Sequence, residues 1–112
     1  MVKRFDIFLL DLGASADGGA SSGGGGKQAR PCVVVSPDEL NANISSVIVA
    51  PIDAARNKYP TRVEIEFLNK KRSIVLEQIR AVDKSRLTKK VGELESGEQA
   101  QVLSVLQELF AP

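Results

Sequence analysis

Residues 61–67 read Thr-Arg-Val-Glu-Ile-Glu-Phe, and their alternation constrains the fold more than any other feature. Val63, Ile65 and Phe67 fall on one side of an extended chain, and Arg62, Glu64 and Glu66 on the other. This is the pattern of a strand with one buried and one wet face. Comparable short segments recur along the chain. Residues 5–12 are rich in aromatic and branched side chains, and Cys32-Val33-Val34-Val35-Ser36 follows a proline that opens its strand. Residues 46–52 form another strand, in which Pro51 predicts an edge or an end. Asn69-Lys70-Lys71-Arg72 reads as a turn into a strand at residues 73–76, which continues with period two through residues 77–82, and residues 90–94 add a short strand. Two helical turns separate these strands. In the first, Ser36 is the expected cap, Pro37 the first helical residue and Glu39 the third. The second spans residues 83–87, capped by Asp83. Ser96 is the expected cap of a final helix over residues 97–110, with Val102, Val105, Leu106 and Leu109 on its apolar stripe. Short strands, close turns and one C-terminal helix predict a mainly β chain with some α, a small SH3-like antiparallel barrel closed by a helix.

At 112 residues the chain is the size of one domain. One stretch has no means of joining a core. Residues 18–26 contain six glycines in nine positions, so residues 14–27 are expected to be a flexible Gly/Ser-rich loop within a single domain spanning 1–112. The loop ends at Lys27 without phosphate-loop spacing and leads into a strand, which argues against nucleotide binding.

Histidine is absent and cysteine occurs once, as Cys32. Those two facts exclude the Ser-His-Asp triad, the paired-histidine metalloproteases and cysteine-rich zinc sites. Cys32 lies in an apolar strand and reads as a small buried hydrophobe. No metal site and no cofactor are expected. No apolar run nears the about 20 residues that span a bilayer, and Asp6 and Asp11 interrupt the apolar stretch after Lys3-Arg4. A soluble, cytoplasmic protein without a membrane partner is the expectation.

The net charge is only +1, from 15 Lys plus Arg against 14 Asp plus Glu. Its distribution is uneven. Residues 69–90 hold eight bases against Glu77 and Asp83, whereas from residue 91 onward there are four glutamates and no base. A basic middle suits single-stranded nucleic acid or an acidic peptide. Phe5, Phe8, Phe67 and Phe110 read as core or interface residues, which leaves Tyr59 as the one candidate for stacking a base.

Several segments in order resemble the MazF/PemK family, the endoribonuclease half of type II toxin–antitoxin pairs. They are Val2-Lys3-Arg4-Phe5-Asp6-Ile7, then Arg30-Pro31 with Val33-Val34-Val35-Ser36, Asn41, and Val47 through Ile52. Pro60 with Val63-Glu64-Ile65 follows, then the long block from Ser73 through Glu77-Gln78-Ile79-Arg80 to Leu87, and finally Gly92 and Leu94. The resemblance covers nearly all of the chain outside residues 14–27. It implies the MazF/CcdB-like toxin fold, a homodimer, metal-independent cutting of single-stranded mRNA at short motifs, and a cognate antitoxin that covers the RNA groove. It also identifies departures. Phe5 stands where the family has glycine, Gln28 where it has another glycine, and Asp53 where it has an active-site threonine.

RNA can be cut without a metal when a base removes the 2′-OH proton and cations steady the phosphorane. Arg30 is the expected cation, and the resemblance places the family's catalytic arginine at the same position. Asp53 and Glu77 are the candidates for the base. Lys27, Gln28, Tyr59, Ser73, Gln78 and Arg80 are expected to bind RNA. Phe5, Asp53 and the glycine-rich loop also support a second reading, a catalytically weakened member that acts by binding RNA or antitoxin. A third is an unrelated small barrel that binds a protein at its sheet edge.

Overall fold

The computed structural model describes residues 1–11, 29–55 and 58–112. The Gly/Ser-rich loop, with Lys27 and Gln28, lies outside the described residues. Among the described residues seven strands form one antiparallel sheet: β1 (Asp6–Asp11), β2 (Ala29–Val34), β3 (Ser46–Ala54), β4 (Arg62–Phe67), β5 (Lys70–Val75), β6 (Arg80–Asp83) and β7 (Leu87–Glu93). Their spatial order is β4-β5-β3-β2-β1-β7, with β6 paired to β3 beside β5. The sheet curls into a half-barrel. A short helix, α1 (Asp38–Asn43), joins β2 to β3, and α2 (Ser96–Phe110) ends the chain. No helix among the described residues is long and apolar enough to cross a membrane.

Apolar side chains fill both faces of the sheet. On one face Ile7, Val33, Ile52, Val63, Ile65, Phe67, Ile74 and Leu76 form a cluster that includes Val102 of α2. Val105 and Leu106 of the predicted stripe pack against its margin, joined by Leu103, which the stripe did not include, whereas Leu109 is not among the residues packed there. On the other face Leu10, Cys32, Val34, Val47, Val49 and Val82 form a second cluster. Each fully buried aliphatic side chain here is worth about 1.5–3 kcal/mol of burial. Phe110, by contrast, is 70% exposed.

β4 matches its alternation residue for residue. Several other expectations need correction. The turn after β4 is only Leu68-Asn69, because Phe67 pairs with Lys70 and the strand runs through Lys70-Lys71-Arg72. Both turn residues have positive φ, 55° and 65°, as a two-residue hairpin requires. Period two does not carry on through Glu77. Leu76–Gln78 is a 3₁₀ turn that takes the chain off β5 before β6 begins at Arg80. β3 is not an edge strand, since it pairs with β2, β5 and β6. It also runs on through Asp53 to Ala54.

Caps shift as well. Pro37 is the N-cap of α1 and not its first helical residue. The Ser36 hydroxyl turns inward, donating to Asn41 Oδ1 and accepting from the Ile48 N–H. At α2 the N-cap is Glu95, with Ser96 inside the helix, and the Glu98 carboxylate accepts from the Glu95 N–H at 2.9 Å. Asp83 does cap its turn, accepting from the Ser85 N–H at 2.9 Å. β2 starts at Ala29, ahead of Pro31. Residues 29–31 pair with β1 alone, because the β3 ladder begins at Cys32, so the missing Pro31 N–H interrupts no second ladder.

Candidate active site

Register and alternation bring several of the predicted site residues to one face. Arg30 and Cys32 share a side of β2, and Cys32 pairs with Pro51. Two residues on, Asp53 pairs with Ser73, and Ser73 pairs with Glu64. Arg30, Asp53, Ser73 and Glu64 therefore form a polar row across four strands, and Arg62 lies one step along β4 on the same side. The apolar cluster containing Cys32, Val34, Val47 and Val49 continues this face toward the other end of the sheet. Arg80, opposite Val49 on β6, joins the face beside that cluster.

The row has distinct electrostatic characters. Arg30 is exposed and meets no hydrogen-bond or ion-pair partner among the described residues. Its five N–H donors are available to an anion. Asp53 is exposed, and its Oδ1 accepts from the Ala54 N–H at 2.8 Å. Ser73 is buried at the centre of the row. Burial pushes the Cys32 thiol up to about 12, against the smaller lowering effects of a backbone hydrogen bond and the Arg80 charge. It is a packed side chain and not a nucleophile.

Glu77 occupies the 3₁₀ turn and faces the start of β4. Its carboxylate accepts from Arg62 Nη2 at 2.6 Å, Arg62 Nε at 3.1 Å and Thr61 Oγ1 at 2.7 Å. The Arg62 hydrogen bond, aided by Thr61, holds its pKa at about 2, well below the usual carboxylate range. Arg62 is raised in turn, chiefly by Glu77, with Tyr59 and Asp53 adding to the effect. The Arg62 guanidinium lies over the Tyr59 ring, 4.7 Å from its centroid. Gln78 is exposed in the same 3₁₀ turn as Glu77.

Arg62 and Thr61 were invisible as site residues in the sequence. They read as the polar side of a strand and its first residue, and their partner lies 15 and 16 positions away. The basic middle also divides. Lys90 bridges the buried Asp6 at 3.2 Å and Glu93 at 3.4 Å, and Lys84 donates to the Asn41 carbonyl. Arg86 donates to the Asp11 carbonyl at 3.3 Å. Lys70, Lys71, Arg80 and Lys89 are left on the exposed surface. Among the described residues no three His, Cys, Asp or Glu side chains cluster to hold a metal ion.

Comparison with known proteins adds a family. Residues 3–110 match the model of the PemK-like, MazF-like toxins of type II toxin–antitoxin systems. The chain is 39% identical over 112 residues to the endoribonuclease MazF of Staphylococcus epidermidis, covering 95% of this chain and 88% of that protein. Among solved structures, a mycobacterial endoribonuclease in complex with its cognate antitoxin aligns with a TM-score of 0.80 at 19% identity, covering 100% of this chain and 98% of that one. MazF from Deinococcus radiodurans aligns with a TM-score of 0.74 at 21% identity, over 99% and 97% of the two chains. At those identities the structures establish the shared fold.

Proposed function

This chain belongs to the PemK-like, MazF-like toxins of type II toxin–antitoxin systems, and we propose that it is a metal-independent, sequence-specific endoribonuclease that cuts single-stranded mRNA and is neutralised by a cognate antitoxin. The observation that carries the reading is the polar row in which Arg30 stands without a partner among the described residues. In this reading the protein works in the cytoplasm, where mRNA is found, as a homodimer with one Arg30 per subunit in its groove.

The reaction needs three services. A base accepts the 2′-OH proton, a cation steadies the phosphorane as the freed oxygen attacks the adjacent phosphorus, and an acid (the protonated base or a water molecule) gives a proton to the 5′-oxygen as its bond to phosphorus breaks. Arg30 holds the phosphate oxygens as negative charge builds on the phosphorane. Of the two carboxylates weighed for the base, Asp53 has the better placement, in the same row as Arg30. Glu77 at a pKa of about 2 is a weak base, and its bonds to Arg62 and Thr61 suit it to positioning. Ser73, Gln78 and Arg80 supply donors and acceptors for bases and phosphates. Lys27 and Gln28 are proposed to bind the RNA as well.

The test is cleavage of a long natural RNA in EDTA, with analysis of the fragment ends. A 2′,3′-cyclic phosphate on the upstream fragment and a 5′-OH on the downstream one are expected. Arg30→Ala lowers the chemical step by roughly 10²–10³, the scale of one lost transition-state donor. Undiminished cutting of a substrate with 2′-deoxy sugar at the cut site would refute 2′-OH attack. Asp53→Thr restores the family residue and tests the weakened-member reading directly. A large gain in rate identifies Asp53 as the attenuating substitution, whereas a fall in rate together with loss of the acid limb of the pH profile identifies it as the base.

A further inference from the structure

Tyr59 is the one aromatic side chain whose surroundings look built to present a ring to solvent. It is 51% exposed, yet its position is constrained from several sides. Its carbonyl accepts from the Arg62 N–H at 3.0 Å, which closes the turn into β4. The Arg62 guanidinium covers one ring face at 4.7 Å. Glu77 grips that guanidinium through Nε and Nη2, and Thr61 holds Glu77 from the other oxygen. The Thr61 carbonyl accepts from the Leu76 N–H at 3.1 Å, tying the assembly to the end of β5. With one face backed by a fixed cation, the ring offers its other face.

We propose that Tyr59 is a preformed stacking platform for one unpaired RNA base beside the cut site, and that Arg62, Glu77 and Thr61 are its positioning residues. The proposal rests on the endoribonuclease reading above and deepens it. Three physical points support it. A ring held before binding loses little entropy when a base lands on it. A guanidinium under the ring is itself stabilised by the aromatic face, and Glu77 orients the guanidinium plane as a lone surface arginine would not be oriented. The platform also lies near the chemistry, since Asp53 pairs with Ser73, Ser73 pairs with Glu64, and Arg62 is the next residue on that side of β4. An unstructured strand held at Arg30 and Asp53 can therefore extend over Tyr59.

The composition supplies the probe. Tyr59 is the only tyrosine and the chain has no tryptophan, so intrinsic fluorescence reports this ring alone. Binding of mixed-sequence 2′-O-methyl RNA decamers, which cannot be cut by 2′-OH attack, is expected to quench it. At one fixed salt concentration, anisotropy of the labelled decamer should show Tyr59→Leu binding roughly 5- to 150-fold more weakly, the range for one lost base stack. Tyr59→Phe should rescue that loss. Arg62→Lys keeps the charge but loses the planar, doubly bonded group, and should weaken binding several-fold in the Tyr59 background. The same change should add little when combined with Tyr59→Leu, because both act through one platform. Decamer binding with no quenching, or Tyr59→Leu binding as tightly as the unaltered protein, would overturn the platform while leaving the endoribonuclease reading intact. A protein that neither cuts natural RNA nor binds the decamers would overturn both.

Discussion

Phe5 has a φ of 75°, in a region where side-chain-bearing residues are strained. It is nonetheless only 9% exposed and belongs to the larger core cluster. Its N–H donates to the Val34 carbonyl at 2.7 Å and its carbonyl accepts from the Leu94 N–H at 3.0 Å, so the backbone there is held on both sides. The resembled family has glycine at this position, and the φ explains why. The phenylalanine substitutes core burial for conformational ease. Truncating it to alanine removes the burial and keeps the strain, at a loss of about 3–5 kcal/mol. Truncating it to glycine loses the same packing but relieves about 1–2 kcal/mol of left-handed strain. Glycine also loosens the unfolded chain by about 0.4–1 kcal/mol. Phe5→Gly should therefore be more stable than Phe5→Ala by about 0.5–1 kcal/mol, with both well below the parent. At an ordinary φ the order is reversed. Urea unfolding followed by far-ultraviolet circular dichroism, at matched protomer concentration, measures the difference. Phe5→Ala equal to or above Phe5→Gly would refute the assignment of strain to this residue.

The hairpin tip and the Glu77 cluster give two more expectations. Leu68 is 69% exposed at φ 55°, so Leu68→Asn should stabilise the protein by about 0.5–1 kcal/mol, because asparagine tolerates this turn position and little burial is lost. A lowered urea midpoint would contradict that. Glu77 has its folded pKa depressed from 4.5 to about 2, so its contribution to stability is complete above pH 4.5 and is lost as pH falls toward 2. Solvent screening keeps the effect small. The gap in thermal midpoint between the parent and Glu77→Gln should close over that interval, and a gap that stays constant from pH 6 to 2.5 would rule out the pairing as its source.

β4 was legible because one of its faces is buried and the other is wet, so burial printed its period on the residues. β5 was legible only in its second half. Ser73-Ile74-Val75 is buried, whereas Lys70 and Lys71 are exposed and stay extended through backbone pairing with Phe67 and Glu66, which leaves no pattern in the side chains. The 3₁₀ turn at Leu76–Gln78 was hidden by the apolar and alternating residues on either side of it, although Leu76 and Ile79, three apart, would fall on opposite faces of a strand. In the candidate site, Arg30 was singled out by its chemistry beside a proline and by the family resemblance. The Arg62–Glu77–Thr61 cluster was not legible, since it depends on the β5 return stroke bringing residue 77 back to residues 61 and 62. That contact is a property of the fold, and no local spacing encodes it.

Pro51 links the fold to the site. β3 pairs with β6 up to Val49 and with β5 from Ile52 onward. Ala50 and Pro51 fall between these partners while remaining paired to β2 on the other side. A strand that changes partners leaves backbone groups to satisfy at the change, and a proline brings one donor fewer. The residue that signalled an edge thus marks an interior split. β5 must leave the sheet and β6 must join it across that gap, and residues 76–79 are the chain that does so. This crossing carries Glu77 to Arg62, exposes Gln78 and delivers Arg80 opposite Val49. Past the split, the ends of β2 and β3 carry Arg30 and Asp53 beyond Cys32–Pro51, the last pair between those two strands. The polar row therefore begins on β2 and β3 where the sheet has changed partners, while on β1 the apolar cluster still reaches Leu10, directly opposite Arg30, so the exposed charges of Arg30 and Asp53 stand at the margin of that cluster and not within it.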